Sequence, residues 1–461
     1  MKININRDRF FYKSIFAVAL PIALQNLITF ATSMADTIML GRADNTGTLL
    51  SASSLANQPF FILSLICFGM SGASTVLAAQ YWGKNDIKSI KTIFAMVLRI
   101  TLFLSLLIGG SVLLFPEQVM SIYTSRADVI ESGAEYLRIL GYAYFTFGVS
   151  NTLICSLRSV EIVKISVVVN TTSFFVNCFI NWVLIFGKLG APRLGIKGAA
   201  IGTLVARLVE FVIVFVYLFF IDTRLKFKLK DFLLSDKILL KDLLKHGIPV
   251  AFNELMWAAG VSVQAAVLGH ITYSAGDPVA ANSIAGMVQQ LSTVFIFGLC
   301  NAAAVMVGKK IGEGDLEEAK RRSNTLQLMS LVIGIMACGI ILLIKNIVVD
   351  FYTVPVETKV LANELLVVIA FITIFVSFAS MGIVGILRGS GDTKFCLFME
   401  MVTMWGVAIP LAIALSVIFK SPVPLVLSGM KIDEPLKSLA CFIRLRGKKW
   451  IKQLARDNLT D

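Results

Sequence analysis

Twelve long apolar stretches dominate this sequence and set what it can fold into. They cover residues 14–40, 52–82, 93–115, 133–156, 163–187, 196–221, 247–270, 279–307, 325–349, 361–387, 393–419 and 422–443. A helix that crosses a bilayer needs about 20 mostly apolar residues, and each stretch is long enough. Transmembrane β-strands are shorter and alternate in polarity. The sequence therefore predicts an all-α polytopic membrane protein with about twelve transmembrane helices.

The composition excludes the soluble function classes. Apolar residues make up 57% of the chain and charged residues only 15%, whereas soluble proteins carry about 25% charged residues. A soluble enzyme, a disordered scaffold and a soluble nucleic-acid binder are all excluded. The first apolar stretch also exceeds the core of a signal peptide, which is about 7–15 residues long. We expect it to be retained as the first helix.

The basic residues predict the orientation in the membrane. With twelve spans, 29 Lys and Arg residues fall on the side that holds both termini, and 8 fall on the other side. Cytoplasmic loops of membrane proteins carry the excess of Lys and Arg. The topology therefore explains the net charge of +13. We expect the lipid bilayer, and not nucleic acid, to be the partner of these basic residues. We expect both termini in the cytoplasm and the chain in the cytoplasmic (inner) membrane. Charged residues interrupt the last apolar stretch, 422–443, but the charge distribution favours counting it as a span.

The two halves of the chain repeat each other. The offset grows from 228 to 230 residues along the half, and it pairs Pro21 with Pro249, residues 68–86 with 297–315, Arg158 with Arg388, and Lys164 with Lys394. An even number of helices in each half makes the repeats parallel, and transporters of this kind bind substrate between the halves. We expect a six-helix bundle at 1–221, a cytoplasmic linker at 222–245, a second bundle at 246–445 and a basic tail at 446–461.

Asp36 is the first candidate functional residue. It lies deep in the first apolar stretch, where a charged side chain costs about 2.5–3.5 kcal/mol. Lipid disfavours the ionised form, so such a carboxyl group can carry a proton or exchange it for a small cation. The structural alternative is a carboxyl group that only bonds a neighbouring helix. Its counterpart in the second half is Gln264, so the halves differ chemically.

Other polar residues at membrane depth accompany Asp36. Asn177 and Asn181 are four residues apart and share one helix face, and Thr203 offers a hydroxyl group. These oxygens can ligate a small cation, or they can bond helices together. Pro21 falls in mid-helix, where it frees a backbone carbonyl and favours a kink.

Charged residues elsewhere in the spans are weaker candidates. Glu254 follows Pro249 by one turn and, with Trp257 as an aromatic surface for a flat cation, is a candidate for substrate binding. Glu210 is expected to pair with Arg207, and Glu135 with Arg138, at a spacing of three residues. Glu400 has no partner close in sequence.

Several catalytic motifs are absent from the sequence. It has no phosphate-binding GxxxxGK[ST] loop and no HExxH pair, and its only histidines are His246 and His270. ATP hydrolysis and zinc-dependent hydrolysis both depend on such motifs. We therefore expect no enzyme activity, no cofactor, and no metal beyond a possible Na⁺ at Asp36.

The chain resembles the multidrug and toxic compound extrusion (MATE) transporters. The resemblance covers about residues 10–450 and rests on the paired openings LP…ADTIMLGR and IP…VLGH, the Gly83 and Gly312 loops, and LRGSGDT at 387–393. It implies two six-helix bundles that form a V-shaped cleft. It also implies efflux of organic, often cationic and aromatic, compounds driven by a Na⁺ or H⁺ gradient.

The resemblance extends to single residues of the proposed ion site. Pro21 and Asp36 match the bending proline and the ion-binding aspartate of the first helix in the family. Asn177 and Thr203 match polar residues of the same site. Some members carry aspartate where this chain has Asn181, and some carry a second-half acid where this chain has Ser377. The second-half cation site of those members is therefore not expected here.

These features favour a secondary antiporter that exports organic cations by alternating access, with Na⁺ or H⁺ as the coupling ion and a monomer as the working unit. One alternative is a flippase for lipid-linked oligosaccharides, which would need a cationic cleft for the diphosphate. The bases within spans are chiefly Arg99, Arg138 and Arg207. Another alternative is a membrane receptor or scaffold that transports nothing.

Overall fold

The described part of the chain is built from helices. The computed structural model describes residues 8–43, 48–352, 354–447 and 449–456, and within these ranges no residue lies in a β-strand. Ten helical stretches in the described residues, some of which join neighbouring helices, are long and apolar enough to cross a membrane. The all-α polytopic prediction is confirmed.

In the described residues of the first half, eight α-helices are found. They are α1 Arg9–Ala43, α2 Thr48–Ala56, α3 Gln58–Gly83, α4 Ile87–Leu114, α5 Pro116–Ser121, α6 Ala127–Ser159, α7 Lys164–Phe186 and α8 Ile196–Val216. A π-helical turn, Tyr217–Ile221, extends α8, and a 3₁₀ helix, Leu229–Leu233, lies in the linker.

The second half repeats this pattern with more interruptions. Its helices are α9 Lys237–Gly269, α10 Pro278–Gly312, α11 Leu316–Asp350, α12 Val356–Ser380, α13 Thr393–Glu400, α14 Ile409–Ile413, α15 Val423–Met430 and α16 Asp433–Arg446. The described residues of this half also include π-helical segments. Met381–Leu387 extends α12, Met401–Ala408 connects α13 to α14, and Ala414–Ile418 follows α14.

The sequence repeat is visible in how equivalent helices begin. Asp86 caps α4 by accepting a hydrogen bond from the backbone N–H of Ser89, and Asp315 caps α11 in the same way. The residues before these caps, Asn85 and Gly314, both have a positive φ, at 58° and 83°. Glycine and asparagine adopt that conformation at low cost. The repeated residues therefore encode the same turn twice.

Two of the twelve predicted spans fall outside the ten apolar helices. Residues 133–156 lie within α6, which is 33 residues long but more polar. The stretch 422–443 forms two helices, α15 and α16, separated at residues 431–432. Pro435 lacks the N–H that would bond the carbonyl of Lys431 in a continuous helix, and proline is tolerated in the first turn of a new one. The last predicted span is thus broken.

Contacts divide the chain into two compact units. One unit comprises Leu24–Ala251, and the other comprises Met1–Ala23 together with Phe252–Asp461. Within the first unit, α6 packs against α3, α4 and α8; within the other, α12 packs against α10, α11 and α16. Each unit has an apolar core of its own. The long helices α1 and α9 each contribute to both units, and the change falls just after Pro21 and Pro249. The predicted domain bounds, set by sequence alone, remain a prediction.

Candidate functional site

Asn177 and Asn181 are buried where α7 meets α8. They are 1% and 0% exposed, although asparagine is usually a surface residue. Close approach of the two helices makes room for them, because a Cβ atom on Gly202 would lie 2.0 Å from Asn181 Oδ1, and one on Gly198 would lie 2.8 Å from the backbone of Leu184. The glycines of α8 therefore allow α7 to hold two amides inside the protein.

These amides meet Asp36. Asn181 Nδ2 donates to Asp36 Oδ1 at 2.6 Å and to Asn177 Oδ1 at 3.2 Å. The structure thus brings together residues of α1 and α7 that are about 145 positions apart in sequence. Both hydrogens of the Asn181 amide are used in these bonds, which fixes the orientation of its oxygen.

Two buried oxygens at this site lack a hydrogen-bond partner. Asn181 Oδ1 has none, and Thr203 Oγ1 lies beside the Tyr136 hydroxyl group without a bond of normal geometry. Buried polar groups are nearly always satisfied in folded proteins, and an exception calls for a ligand, a water molecule or a function. Together with the carboxylate of Asp36, these oxygens are the kind of ligand that small hard cations prefer.

Tyr136 and Asn57 belong to the same polar group, and sequence reasoning missed them. Tyr136 is 4% exposed, and its hydroxyl group accepts from Asn57 Nδ2 at 3.4 Å. The tyrosine interacts electrostatically with Asp36. No local pattern marks either residue, since Tyr136 reads as an ordinary apolar-face residue of its helix. Only the packing of α6 places it beside α8.

Arg207 supplies a positive charge near Asp36. As expected, it pairs with Glu210, at 2.8 Å, and its guanidinium lies 5.6 Å and 5.2 Å from the ring centres of Phe60 and Phe147. It is close enough to interact electrostatically with Asp36. Because the negative charge of Glu210 balances the positive charge of Arg207, the ionised Asp36 gives this group of side chains a net negative charge.

The candidate substrate residues lie in the other unit. Glu254 Oε1 accepts from Arg388 Nη1 at 2.6 Å, and Asn253 Oδ1 accepts from Nη2 at 3.1 Å. Trp257 is 43% exposed, so its ring is available for contact with lipid or ligand. The carboxylate of Glu254 is thus engaged by a guanidinium.

The equivalent contact in the first half involves a neutral partner. Arg158, the repeat counterpart of Arg388, donates from Nη2 to Gln25 Oε1 at 3.1 Å. Each of these arginines therefore holds the helix that carries Pro21 or Pro249, one turn after the proline. Helix α1 itself runs continuously through Pro21.

Known proteins resemble this chain over most of its length. A family model described as MatE matches residues 21–183 and 249–414. The probable multidrug resistance protein NorM of Thermotoga maritima is 24% identical over 96% of this chain and 93% of its own length.

Solved structures show the same fold. A structure of MATE in complex with MaL6 gives a TM-score of 0.85 at 19% identity, covering 94% of this chain and 95% of its own. A transporter of the MOP superfamily from Pyrococcus furiosus, described as having a binding pocket of reverse polarity, gives 0.84 at 18% identity and covers the same shares.

Proposed function

The chain belongs to the MatE family, and from this premise we propose that it is a secondary antiporter that exports organic compounds across the cytoplasmic membrane. The name of the Thermotoga relative supports multidrug substrates. The coupling ion, Na⁺ or H⁺, enters at Asp36 and leaves to the cytoplasm, where both termini lie. The working unit is a monomer, and the protein is a transporter and not an enzyme.

One observation carries the proposal for the coupling site. A single carboxylate, Asp36, accepts a hydrogen bond from the buried Asn181 amide, and two buried oxygens of the same polar group, Asn181 Oδ1 and Thr203 Oγ1, lack hydrogen bonds. A Na⁺ ion or a proton bound to Asp36 would neutralise its carboxylate. Coupling requires that ion and substrate prefer different conformations of the protein. Asp36 then acts by setting which conformation the ion stabilises.

The substrate is an organic cation that binds between the two repeats and is carried by alternating access. Trp257 offers an exposed aromatic face, which attracts cations. Glu254 adds negative charge when its bond to Arg388 opens. The bases named for the flippase alternative are engaged instead: Arg138 and Arg207 pair with acids, and Arg99 bonds backbone carbonyls. A diphosphate would find no free base among these three.

The test is ethidium efflux from proteoliposomes under a Na⁺ gradient or a pH gradient, each imposed alone. We expect efflux under one gradient only, which identifies the ion. Asp36→Asn should reduce gradient-driven efflux to background while the melting temperature is kept. Asp128→Asn, at an exposed ion pair, is the matched control and should transport normally.

The other outcomes separate the alternatives. Full efflux in Asp36→Asn would remove Asp36 from the coupling mechanism. Dye binding that does not depend on a gradient, without efflux, would favour a receptor or scaffold. No efflux of any dye, together with movement of lipid-linked saccharide, would favour the flippase.

A further inference from the structure

A second group of charges is buried in the unit that holds the second half. Lys437 Nζ lies 2.7 Å from Asp433 Oδ2, 3.0 Å from Glu400 Oε2 and 3.8 Å from Glu434 Oε1. The side chains of Lys437, Asp433 and Glu400 are 4%, 5% and 6% exposed. We call these four residues the 400/437 cluster; it joins α13 to the start of α16.

The charges of this cluster do not balance. Three carboxylates face one ammonium group. A second lysine, Lys431, lies 3.3 Å from Gln264 Oε1 and interacts with Glu434. Arg388 also interacts with Glu400 but is already bonded to Glu254. Two buried thiols, Cys396 and Cys441, lie nearby. With every group charged, the three acids exceed the two lysines by one negative charge.

One buried oxygen of the cluster lacks a partner, and so does a buried amide near Cys441, one helical turn away. Asp433 Oδ1 has no hydrogen bond. Gln327, on α11, is 7% exposed and neither its Nε2 nor its Oε1 is bonded. A Cβ atom on Gly382 would touch both Cys441 and Gln327 Nε2, and Cys441 is one turn beyond Lys437 on α16. The Gln327 amide therefore lies near Cys441, one turn from Lys437, and the unbonded Asp433 Oδ1 within the cluster is a buried group that calls for a ligand.

The internal repeat relates this cluster to the Asp36 site. The offset of 230 residues that pairs Arg158 with Arg388 also pairs Thr203 with Asp433 and Arg207 with Lys437. It pairs Asn170, on the helix of Asn177, with Glu400. The second half thus has acids, Glu400 and Asp433, at positions where the first half has Asn170 and Thr203. Its first-helix position holds Gln264, which donates to the carbonyl of Met430 at 3.0 Å.

We propose that the 400/437 cluster binds one proton and is a second ion-coupling site, separate from Asp36. Its proton-binding role stands alone, while its coupling role rests on the proposed antiport. The Lys437 ammonium lies between the carboxylates, so a metal ion would have to displace it, whereas a proton binds one carboxylate oxygen without breaking a covalent bond. Protonation removes the excess charge and weakens one of the ion pairs of Lys437, among which the pair with Glu400 ties α13 to α16. The proton comes from water and returns to it.

Infrared spectroscopy of the purified full-length protein tests the binding. Protonated carboxyl groups have a carbonyl band distinct from that of carboxylates. In the Asp36→Asn background we expect one such band to titrate with pH, and adding Glu400→Gln or Asp433→Asn should remove it. Separate ¹³C labelling of aspartate or glutamate shows which residue type holds the proton. A band that both substitutions leave unchanged, or no titrating band in Asp36→Asn, overturns the proposal.

Amide substitutions resemble the protonated acid, so the variants should fold if the protonated state is natural. Glu434→Gln, at the longest contact of the cluster, provides a milder variant in case Asp433→Asn misfolds. Because Glu434 is one of the three acids that exceed the two lysines, we expect this variant to remove the titrating band as well. A titrating band that remains in a folded Glu434→Gln protein would contradict the assignment to this cluster.

Proton movement per exported dye molecule tests the coupling. With a pH-sensitive dye inside proteoliposomes, Glu400→Gln should lower the number of protons moved per ethidium by one, and Glu117→Gln, at an exposed pair, should not. An unchanged ratio would overturn the coupling role. If wild-type protein moves no ethidium, the proposed antiport fails, while the infrared titration still decides whether the cluster binds a proton.

Discussion

At the scale of single residues, the choice of amide or acid at position 181 sets the chemistry of the Asp36 site. Asn181 donates both of its amide hydrogens and leaves its oxygen unbonded. An aspartate at this position would have no hydrogen to donate and would compete with Asp36 for a proton. The amide therefore keeps the site at one carboxylate, which suits one bound charge.

Gly202 tests this arrangement because it contacts the amide directly. In Gly202→Ala the new Cβ atom would lie 2.0 Å from Asn181 Oδ1, so the Asn181 side chain must move and its bond to Asp36 is lost. A hydrogen bond to a charged group contributes about 1.5–3 kcal/mol, so we expect the affinity for the coupling ion to change by about 10- to 100-fold; H⁺ should bind more tightly, because the ionised carboxylate loses a donor. The concentration of Na⁺ or H⁺ that gives half-maximal efflux measures this.

The control for that substitution is Gly110→Ala, because a Cβ atom on Gly110 would meet nothing within 4 Å. Alanine favours a helix over glycine by about 1 kcal/mol, so this variant should be at least as stable as the wild type and should transport normally. Normal ion dependence in Gly202→Ala would show that the position of Asn181 is unimportant.

Sequence reasoning at this scale worked where lipid imposes a cost and failed where the partner comes from another helix. The free-energy cost of a charge within a membrane span identified Asp36 as a candidate. The structure places Asp36 beside Asn177 and Asn181. The expected Glu135–Arg138 pair is wrong: Glu135 pairs with Lys197, and Arg138 pairs with Glu117. Local spacing cannot reveal such tertiary partners.

At the scale of elements, the linker and the tail are docked segments and not loose connections. In the linker, Arg224 donates to the carbonyl of Val160. In the tail, Trp450 is 0% exposed, and its carbonyl accepts from Ser390 Oγ at 2.8 Å. Each segment thus contacts the loop after the fourth membrane-spanning stretch of its own repeat. That loop follows α6 in the first half and the π-helical extension of α12 in the second. From the sequence, both segments could be recognised only as basic. Their docking uses backbone carbonyl groups, which leave no pattern in the sequence.

An ion pair between Asp231 of the linker and Lys91 predicts that the stability of the protein depends on pH. Burial would raise the pKa of Asp231, but the hydrogen bonds from Lys91 and from the backbone N–H of Lys228 outweigh it, so the pKa lies below its usual value. A carboxyl group with a lowered folded pKa stabilises the protein above its unfolded pKa of about 3.9, and that contribution is lost as the pH falls through the folded value.

Asp231→Asn should therefore lower the melting temperature at pH 7 by about 2 °C. The difference from wild type should shrink as the pH falls toward about 3. Thermal unfolding of the detergent-solubilised protein measures both effects. Asp128→Asn, at an exposed pair, should change little at either pH, and a difference for Asp231→Asn that does not vary with pH would contradict the ionic explanation.

At the scale of the whole molecule, the sequence predicted the helical architecture and the repeat because both rest on long patterns. Hydropathy over about 20 residues and a constant offset survive local variation. The exchange of helix segments between units could not be predicted this way. Residues up to Ala23 group with Phe252–Asp461, and residues up to Ala251 group with Leu24 onwards, a division that follows from packing and not from chain order.

The position of this exchange makes the two prolines candidate pivots. Pro21 and Pro249 lie two residues before the changes from Ala23 to Leu24 and from Ala251 to Phe252. Proline cannot bond the carbonyl four residues earlier, and bending there is therefore cheap. Any motion between the units must pass through these two helices, so their flexibility should affect turnover more than substrate binding.

The double substitution Pro21→Ala and Pro249→Ala restores both hydrogen bonds and stiffens both helices. At about 1 kcal/mol for a hydrogen bond, we expect ethidium turnover to fall about fivefold, with the ethidium Kd nearly unchanged and the melting temperature equal or higher. Pro278→Ala is the control, since Pro278 begins α10, where no hydrogen bond is lost. Unchanged turnover in a folded double variant would mean that the units move about some other point, whereas a weaker Kd with normal turnover would place the prolines in substrate binding.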